Sequence, residues 1–448
     1  MIFDSESVFE ENVITVLKQH GWKDGVLRYP TERDLLDNWK DILYRNNNDI
    51  DRLGKYPLTD GEMTQIIEQI ETLRTPLALN SFVNGRTVSI TRDNKEDVAH
   101  FGKEVSLYIY DRKEIAGGKS TYQIVQQPVY PAKNTMLSSR RGDLVLLING
   151  MPLIHIELKK SGIPVSQATN QIEKYAHEGV FTGLFRLVQI FVAMNPDDAV
   201  YFANPGVDKF NPSYYFHWAD YNNEPICGGQ NPGKDEWKLF IGGTSGTAGL
   251  LSIPMAHQLI GFYTIADSAD GCLKVLRSYQ YIAANAISDV VRKCDWEQRP
   301  TTPGRPGGYV WHTTGSGKTM TSFKSAQLIA DSHDADKVVF LMDRIELGTQ
   351  SLKEYRSFAD SETEVQGTEN TGVLRDKLNS TNVNDTLIVT SIQKMSNVKA
   401  GERGVTQAWL DQLAARRIVF IVDECHRSTF GDMLQDIRRS FPNALFFG

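Results

Sequence analysis

Gly315, Ser316, Gly317, Lys318 and Thr319 follow an apolar run, Tyr309 to Trp311, and precede a stretch with helical spacing. Glycines let a backbone come close to an oxyanion, and successive N–H groups can wrap it. The N-terminus of a following helix adds favourable potential. The spacing predicts a phosphate-binding loop in which the backbone from Thr314 to Gly317 holds the anion. Lys318 would reach the outer phosphates and Thr319 would ligate Mg²⁺. His312 stands where the strict form of such a loop has glycine. Further on, the apolar run Ile418 to Val422 ends in Asp423 and Glu424, followed by Cys425 and His426. An acidic pair at a strand end serves equally well as a helix cap. Downstream of a phosphate loop it reads as Asp423 holding Mg²⁺ through water and Glu424 polarising an attacking water.

A second constellation lies earlier. Asp143 opens the apolar run to Ile148, and Glu157 and Lys159 close the run that starts at Leu153. Two residues apart on a strand, Glu157 and Lys159 project from one face. Two converging carboxylates bind Mg²⁺, which lowers the pKa of bound water and neutralises charge on a phosphate. Lys159 would orient or deprotonate the nucleophile. On a free surface hairpin the same Glu-x-Lys would be an ordinary ion pair. The apolar setting reads instead as a central strand, where charges need a reason. Register imposes a condition. With a strict two-residue loop at Asn149 and Gly150, Asp143 pairs with Ile156 and faces away from Glu157. Convergence requires a three-residue loop or a bulge. Downstream, Gln171 and Tyr175 share one helical face.

The elements that must carry these residues follow from periodicity. Phe9, Val13, Val16 and Leu17 predict a helix over Phe9 to His20 with Gly21 as its cap. The span from Glu32 to Leu79 reads as mostly helical, and Val105 to Tyr130 as strands. The apolar stretch Gly249 to Ala266 reads as one buried helix. Beyond it, strands predicted at 308–313, 338–343, 387–391, 418–423 and 444–448 alternate with helices. They are apolar on both faces, as in a parallel sheet between helix layers. The expected domains are residues 1–255 and 256–448. With 41% hydrophobic and 23% charged residues among 448, the chain has the balance of a globular protein with a large core. Cys227, Cys272, Cys294 and Cys425 are scattered, which argues against a disulfide framework or zinc site and for a reducing cytoplasm. The acidic N-terminus is no signal peptide. A net charge of −7 opposes nucleic-acid binding through a globally basic surface, so any such contact must be local.

Asp143, Glu157 and Lys159 match the PD-(D/E)xK nuclease pattern, with Gly142 where the pattern's name has proline. The loop ending in Lys318 and Thr319 (a Walker A sequence) and the acidic pair Asp423–Glu424 before Cys425 and His426 (a DECH box) resemble superfamily two helicases and translocases. Arg277, Tyr279 and Gln280 resemble their adenine-reading motif. Asp343, Arg344, Leu347 and Gln350 resemble the next helicase motif. Thr390, Gln393 and Lys394 resemble one that contacts the DNA backbone. With the nuclease motifs first and the motor second, the whole chain resembles the N-terminal part of the R (motor and endonuclease) subunit of type I restriction enzymes. Type III subunits carry the nuclease after the motor.

The resemblance implies an α/β chain, a restriction-endonuclease-like domain followed by one RecA-like parallel-sheet lobe. It implies ATP and Mg²⁺ as cofactors. The implied partners are double-stranded DNA and the methyltransferase (M) and specificity (S) subunits, with no membrane. The implied activity is that of an ATP-dependent site-specific deoxyribonuclease that translocates DNA. Gln171 and Tyr175 would flank the nuclease site, and Glu10 would be the acid of the family's first nuclease helix. Family members continue with a second lobe, so the chain is expected to be a fragment of a longer protein. Other readings are a nuclease–helicase of DNA repair or phage defence, and a non-catalytic docking module ordered by ATP. Intact Asp143, Glu157, Lys159 and Lys318 argue against the last.

Overall fold

The computed structural model describes residues 2–115, 118–130, 140–231, 233–298, 305–313, 315–342, 345–359, 365–401, 405–423, 425 and 431–448. They form two compact units, Met1–Tyr279 and Gln280–Gly448.

In chain order the first unit contains α1 (Glu6–Gln19), β1 (Val26–Arg28), α2 (Glu32–Asn46), α3 (Asp60–Thr72), α4 (Pro76–Asn84), β2 (Thr87–Thr91) and β3 (Glu104–Tyr108). It continues with β4 (Tyr122–Gln126), β5 (Leu144–Ile148), β6 (Met151–Leu158), α5 (Val165–Glu178), β7 (Ile190–Met194) and β8 (Ala199–Ala203). Last come α6 (Glu236–Gly242), α7 (Met255–Gly261), β9 (Thr264–Asp267) and β10 (Cys272–Val275). Six strands make one mixed sheet in the order β1-β4-β5-β6-β7-β8. Strands β4, β5 and β6 form an antiparallel meander, and β6 then pairs in parallel with β7. A parallel pair needs a crossover, and α5 supplies it. Ala168 and Ile172 of α5 pack on Phe191 and Ala193 of β7. Every residue of β6 is buried, as expected of a central strand.

Local signals set the helix ends. Ser5 caps α1 by accepting from the Val8 N–H, and Thr31 and Asp34 form a reciprocal capping box on α2. The cap of α1 is His20, and Gly21 follows it at φ 109°. The stretch 249–266 differs from its expected single helix and folds as α7 followed by β9. Pro254 cannot lie inside a helix, and Gly261 is a poor helix former. Thr264 and Ile265 then pair with β10. The β9–β10 hairpin packs on α4 and β8, so residues 256–279 fall with the first unit.

α8 (Ser278–Arg292) leads into the second unit, which contains β11 (Arg305–Gly308), α9 (Lys318–Ser332), β12 (Lys337–Met342), α10 (Ile345–Phe358), β13 (Val365–Gly367) and α11 (Thr371–Asn379). It ends with β14 (Leu387–Ser391), α12 (Ile392–Ser396), α13 (Gln407–Ala414), β15 (Ile418–Val422), α14 (Gly431–Ser440) and β16 (Leu445–Phe447). All six strands are parallel, in the order β11-β16-β15-β12-β14-β13. Strands β12, β14 and β15 are buried throughout, which accounts for their unbroken apolar runs. β11 ends at Gly308, before the expected 308–313 strand. It pairs with β16, and the Val310 N–H donates to the Gly448 carbonyl. Beyond it Tyr309 and Trp311 are 79% and 88% exposed. Among the described residues no helix is long and apolar enough to cross a membrane.

Candidate functional site

The turn between β5 and β6 has two residues, Asn149 and Gly150, both at positive φ (52° and 83°). That conformation matches the twist of a hairpin. Gly150 also lies where a Cβ would come within 2.8 Å of Trp39. The turn sets Ile148 opposite Met151 and Leu147 opposite Pro152; the register then shifts, and Leu146 lies opposite Ile154 and Leu144 opposite Ile156. Leu153 is the extra residue. Extended by one position, the shifted register sets Asp143 opposite Glu157. The bulge thus meets the condition that a two-residue turn alone does not.

Asp143 accepts from the Leu158 N–H at 2.7 Å. Glu157 is fully buried, and with both acids ionised neither of its carboxylate oxygens has a donor; a proton held by one acid can be shared with Asp143. The Lys159 ammonium lies 3.8 Å from Glu157 Oε1 and 3.6 Å from Glu6 Oε1, and it donates to the Leu158 carbonyl at 2.9 Å. Glu10, one turn beyond Glu6 on α1, is buried and accepts from Gln126 and Gln127. Gln171 donates to the Tyr175 hydroxyl at 2.7 Å, which donates to the Arg141 carbonyl at 2.9 Å. Among the described residues no hydrogen bond joins Gln171 to Asp143, Glu157 or Lys159.

Burial governs the charges here. It pushes the Asp143 carboxyl well above the carboxylate range, and the neighbouring charge of Glu157 adds to the effect. It pushes Glu157 up to about 8, with Lys159 opposing, and raises Glu10. The two facing acids can hydrogen-bond only while one holds a proton. A divalent cation removes that conflict, because it stabilises both ionised forms. The orphaned oxygens of Glu157 are what such an ion requires. Among the described residues no three His, Cys, Asp or Glu side chains converge as a cage. That suits Mg²⁺, which takes one or two carboxylates and fills its remaining positions with water and phosphate.

Two residues of this site escaped sequence reasoning. His155, two positions before Glu157 on the same face of β6, has Nε2 3.3 Å from Glu157 Oε2. Its Nδ1 lies 3.0 Å from the Tyr130 hydroxyl. Burial pushes this imidazole down to about 4, so it is neutral at physiological pH. The signal for His155 was its spacing from Glu157, and nothing local pointed to Tyr130.

In the second unit Gly315 and Gly317 have φ 78° and 84°, and Gly317 caps α9, whose first residue is Lys318. Gln280 donates to the Gly317 carbonyl at 3.2 Å, and a Cβ at 317 would come within 2.5 Å of the Gln280 amide. The Gln280 amide could move aside, and it is the φ of 84° that favours glycine there. His312 ties the loop: its Nδ1 lies 2.8 Å from Ser316 Oγ, which donates to the Thr313 carbonyl at 2.7 Å. A cavity of about 470 Å³ opens beside the loop, lined by Tyr309, Trp311, His312, Lys318, Ser322 and Asp423 among others. Asp423 follows β15, with its N–H on the Leu341 carbonyl at 2.9 Å. Thr319 is the next residue of α9 after Lys318. Thr390 bonds Thr368 at 2.8 Å, and Lys394 donates to the Thr368 carbonyl. Arg277, in the first unit, bonds the Tyr279 hydroxyl at 3.0 Å and stacks 4.5 Å from the Phe216 ring centroid. Thr314, Asp343, Arg344, Glu424 and His426 lie outside the described residues, as do the side chains of Leu347 and Gln350.

Comparison with known proteins adds to this geometry. A family model described as type I restriction enzyme R protein N terminus matches residues 4–210, and one described as SWI2/SNF2 ATPase matches residues 279–448. The type I restriction enzyme SsaAORF53P endonuclease subunit of Staphylococcus saprophyticus is 34% identical over all of this chain and 42% of its own length. A Mycoplasma pneumoniae chain, named for the C-terminal part of the type I restriction enzyme MpnIIP endonuclease subunit, is 37% identical over 38% of this chain and 80% of its own. A solved nuclease-deletion mutant of the Type ISP restriction-modification enzyme LlaGI, with a DNA substrate mimic, matches 39% of this chain and 17% of that one. Its identity is 18% and its TM-score 0.27, a slight likeness. The chain spans 42% of the length of its first curated relatives.

Proposed function

The chain belongs to the R (endonuclease) subunit family of type I restriction enzymes, and from that premise we propose that it joins a Mg²⁺-dependent DNA nuclease to the first lobe of an ATP-driven DNA translocase. The nuclease belongs to the unit Met1–Tyr279, and the RecA-like lobe is Gln280–Gly448. The observation that carries the reading is the register of β5 on β6, which puts two buried acids face to face with Lys159 beside them.

Asp143 and Glu157 would hold the Mg²⁺. When bound, that ion supplies an acidified water and neutralises charge on the scissile phosphate. Lys159 orients or deprotonates the attacking water. Glu10, held by Gln126 and Gln127, adds a further acid behind the site. Gln171 and Tyr175 brace its rim through the Arg141 carbonyl. In the motor lobe the backbone from Thr314 to Gly317 wraps the phosphates of ATP and Lys318 reaches the outer ones. Thr319 and Asp423 serve the nucleotide's Mg²⁺, and Glu424 polarises the attacking water. Gln280 reads the adenine. Duplex DNA is the substrate, and the M and S subunits of the same cytoplasmic enzyme are the partners that supply sequence recognition.

The test uses the full-length protein assembled with its M and S subunits on circular plasmid DNA. Glu157→Ala should abolish cleavage and retain DNA-stimulated ATP turnover, whereas Lys318→Ala should abolish both. Normal cleavage by the Glu157→Ala enzyme would overturn the assignment.

A further inference from the structure

Glu157 has a neighbour whose role the nuclease pattern does not account for. His155 lies two residues before it on β6, and both side chains are 0% exposed. The imidazole Nε2 is 3.3 Å from Glu157 Oε2, close without being aligned, and it has no other hydrogen-bond partner. On its other side Nδ1 meets the Tyr130 hydroxyl at 3.0 Å. Aromatic rings pack around the pair: Phe181 lies 5.3 Å from His155 and Phe185 4.7 Å from Tyr130. The imidazole is thereby held from below and from the side.

Gly142 supplies an independent observation. A Cβ there would come within 2.6 Å of the Tyr130 hydroxyl and 2.9 Å of His155 Cε1. The Tyr130–His155 pair fills the space that a proline ring would need, so the glycine before Asp143 is the counterpart of that pair.

We propose that His155, braced by Tyr130 and given room by Gly142, is a positioning residue that fixes the Glu157 carboxylate for the divalent ion. The chemistry explains the residue type. Once the ion holds Glu157 ionised, the imidazole proton sits on Nε2 and donates to Oε2, while Nδ1 accepts from the Tyr130 hydroxyl. The other carboxylate oxygen stays free for the ion. A lysine or arginine at this place would also orient Glu157, but it would cancel the charge that attracts the metal. A neutral N–H donor fixes direction and leaves the charge, as outer partners of metal ligands do.

This inference rests on the metal-binding reading of Asp143 and Glu157, and the experiment separates the two. Mn²⁺ binding to the 448-residue chain is measured by titration calorimetry for wild type, His155→Ala, His155→Gln, Tyr130→Phe, Gly142→Ala and Glu157→Ala. Near-UV circular dichroism, which reads Trp22, Trp39, Trp218 and Trp237 buried in the first unit, reports that each variant is folded. His155→Ala should weaken Mn²⁺ binding about 10–100-fold. His155→Gln, which keeps a neutral donor, should recover most of that loss, and Tyr130→Phe and Gly142→Ala should fall between. In the assembled enzyme the Mg²⁺ concentration for half-maximal cleavage should rise in the same order. Wild-type Mn²⁺ affinity in His155→Ala, with loss in Glu157→Ala, would overturn the role of His155 alone. A glutamine variant no better than alanine would do the same. Wild-type affinity in Glu157→Ala would remove the metal site itself. If His155→Ala does not fold, His155→Gln and Tyr130→Phe decide the question.

Discussion

Replacing Glu157 with glutamine should stabilise the metal-free chain, and increasingly so as pH rises. The carboxyl is fully buried, with only the facing Asp143 to share a proton with it, and burial pushes it up to about 8. In an unfolded chain it titrates near ~4.3. Between those values the native state keeps a proton that the unfolded state has released, so stability falls as pH rises through the window. Below it both states are protonated and the penalty vanishes. Each pKa unit corresponds to about 1.4 kcal/mol, which caps the effect at roughly 5 kcal/mol. Asp143 competes for the same proton, so the pair titrates jointly and a single substitution relieves only part. We expect Glu157→Gln to gain about 1–3 kcal/mol at pH 8 and close to nothing at pH 5, or roughly 2–10 °C in midpoint at the higher pH. Differential scanning calorimetry in chelator at pH 5, 6.5 and 8 measures this. Added Mg²⁺ should raise the midpoint of wild type and not of the variant. A variant less stable than wild type at pH 8, or a difference indifferent to pH, would refute the idea that two acids are held in conflict until a cation arrives.

Lys318→Ala should weaken ATP-analogue binding at least about tenfold, the loss of one good charge contact, as read by titration calorimetry. Arg92 is buried between Glu62 and Asp97, at 2.6 and 3.1 Å; Arg92→Ala strands both acids and should lower stability by about 3–5 kcal/mol in urea melts. Gly150→Ala meets both a positive φ and the Trp39 ring, and should lower stability by about 2 kcal/mol or more. DNA binding by this acidic chain should depend on local basic residues, so affinity measured by anisotropy should fall steeply between low and physiological salt, without sequence preference.

The sequence made some of this legible and hid the rest for physical reasons. The candidate phosphate loop was plain because glycine, lysine and threonine at that spacing have few other uses, and the positive φ of Gly315 and Gly317 shows why glycine suits it. β6 was recognisable as a central strand because charges interrupt an otherwise apolar run. The need for a bulge or a longer loop followed from the strand period. Which of the two occurs did not, since each satisfies it, and the choice of Leu153 depends on how β6 packs. Tyr130 was hidden because it reaches His155 from a different segment of the chain. The short β11 was misplaced because Tyr309 and Trp311 have the composition of a strand yet stand exposed beyond it. The span from 249 to 266 was misread because its apolar count outweighed Pro254 and Gly261.

The bulge at Leu153 makes the candidate cleavage site depend on parity. A hairpin closed by two residues pairs positions whose numbers sum to an odd value, whereas Asp143 and Glu157 sum to an even one; the single extra residue reconciles them. Any insertion or deletion of one residue between the two acids puts them on opposite faces of the sheet, and a change of two restores their shared face. Deleting Leu153 would leave Asp143, Glu157 and Lys159 all present in the written sequence. It would nonetheless put the two acids on opposite faces of the sheet, a change that residue-by-residue inspection would pass as intact.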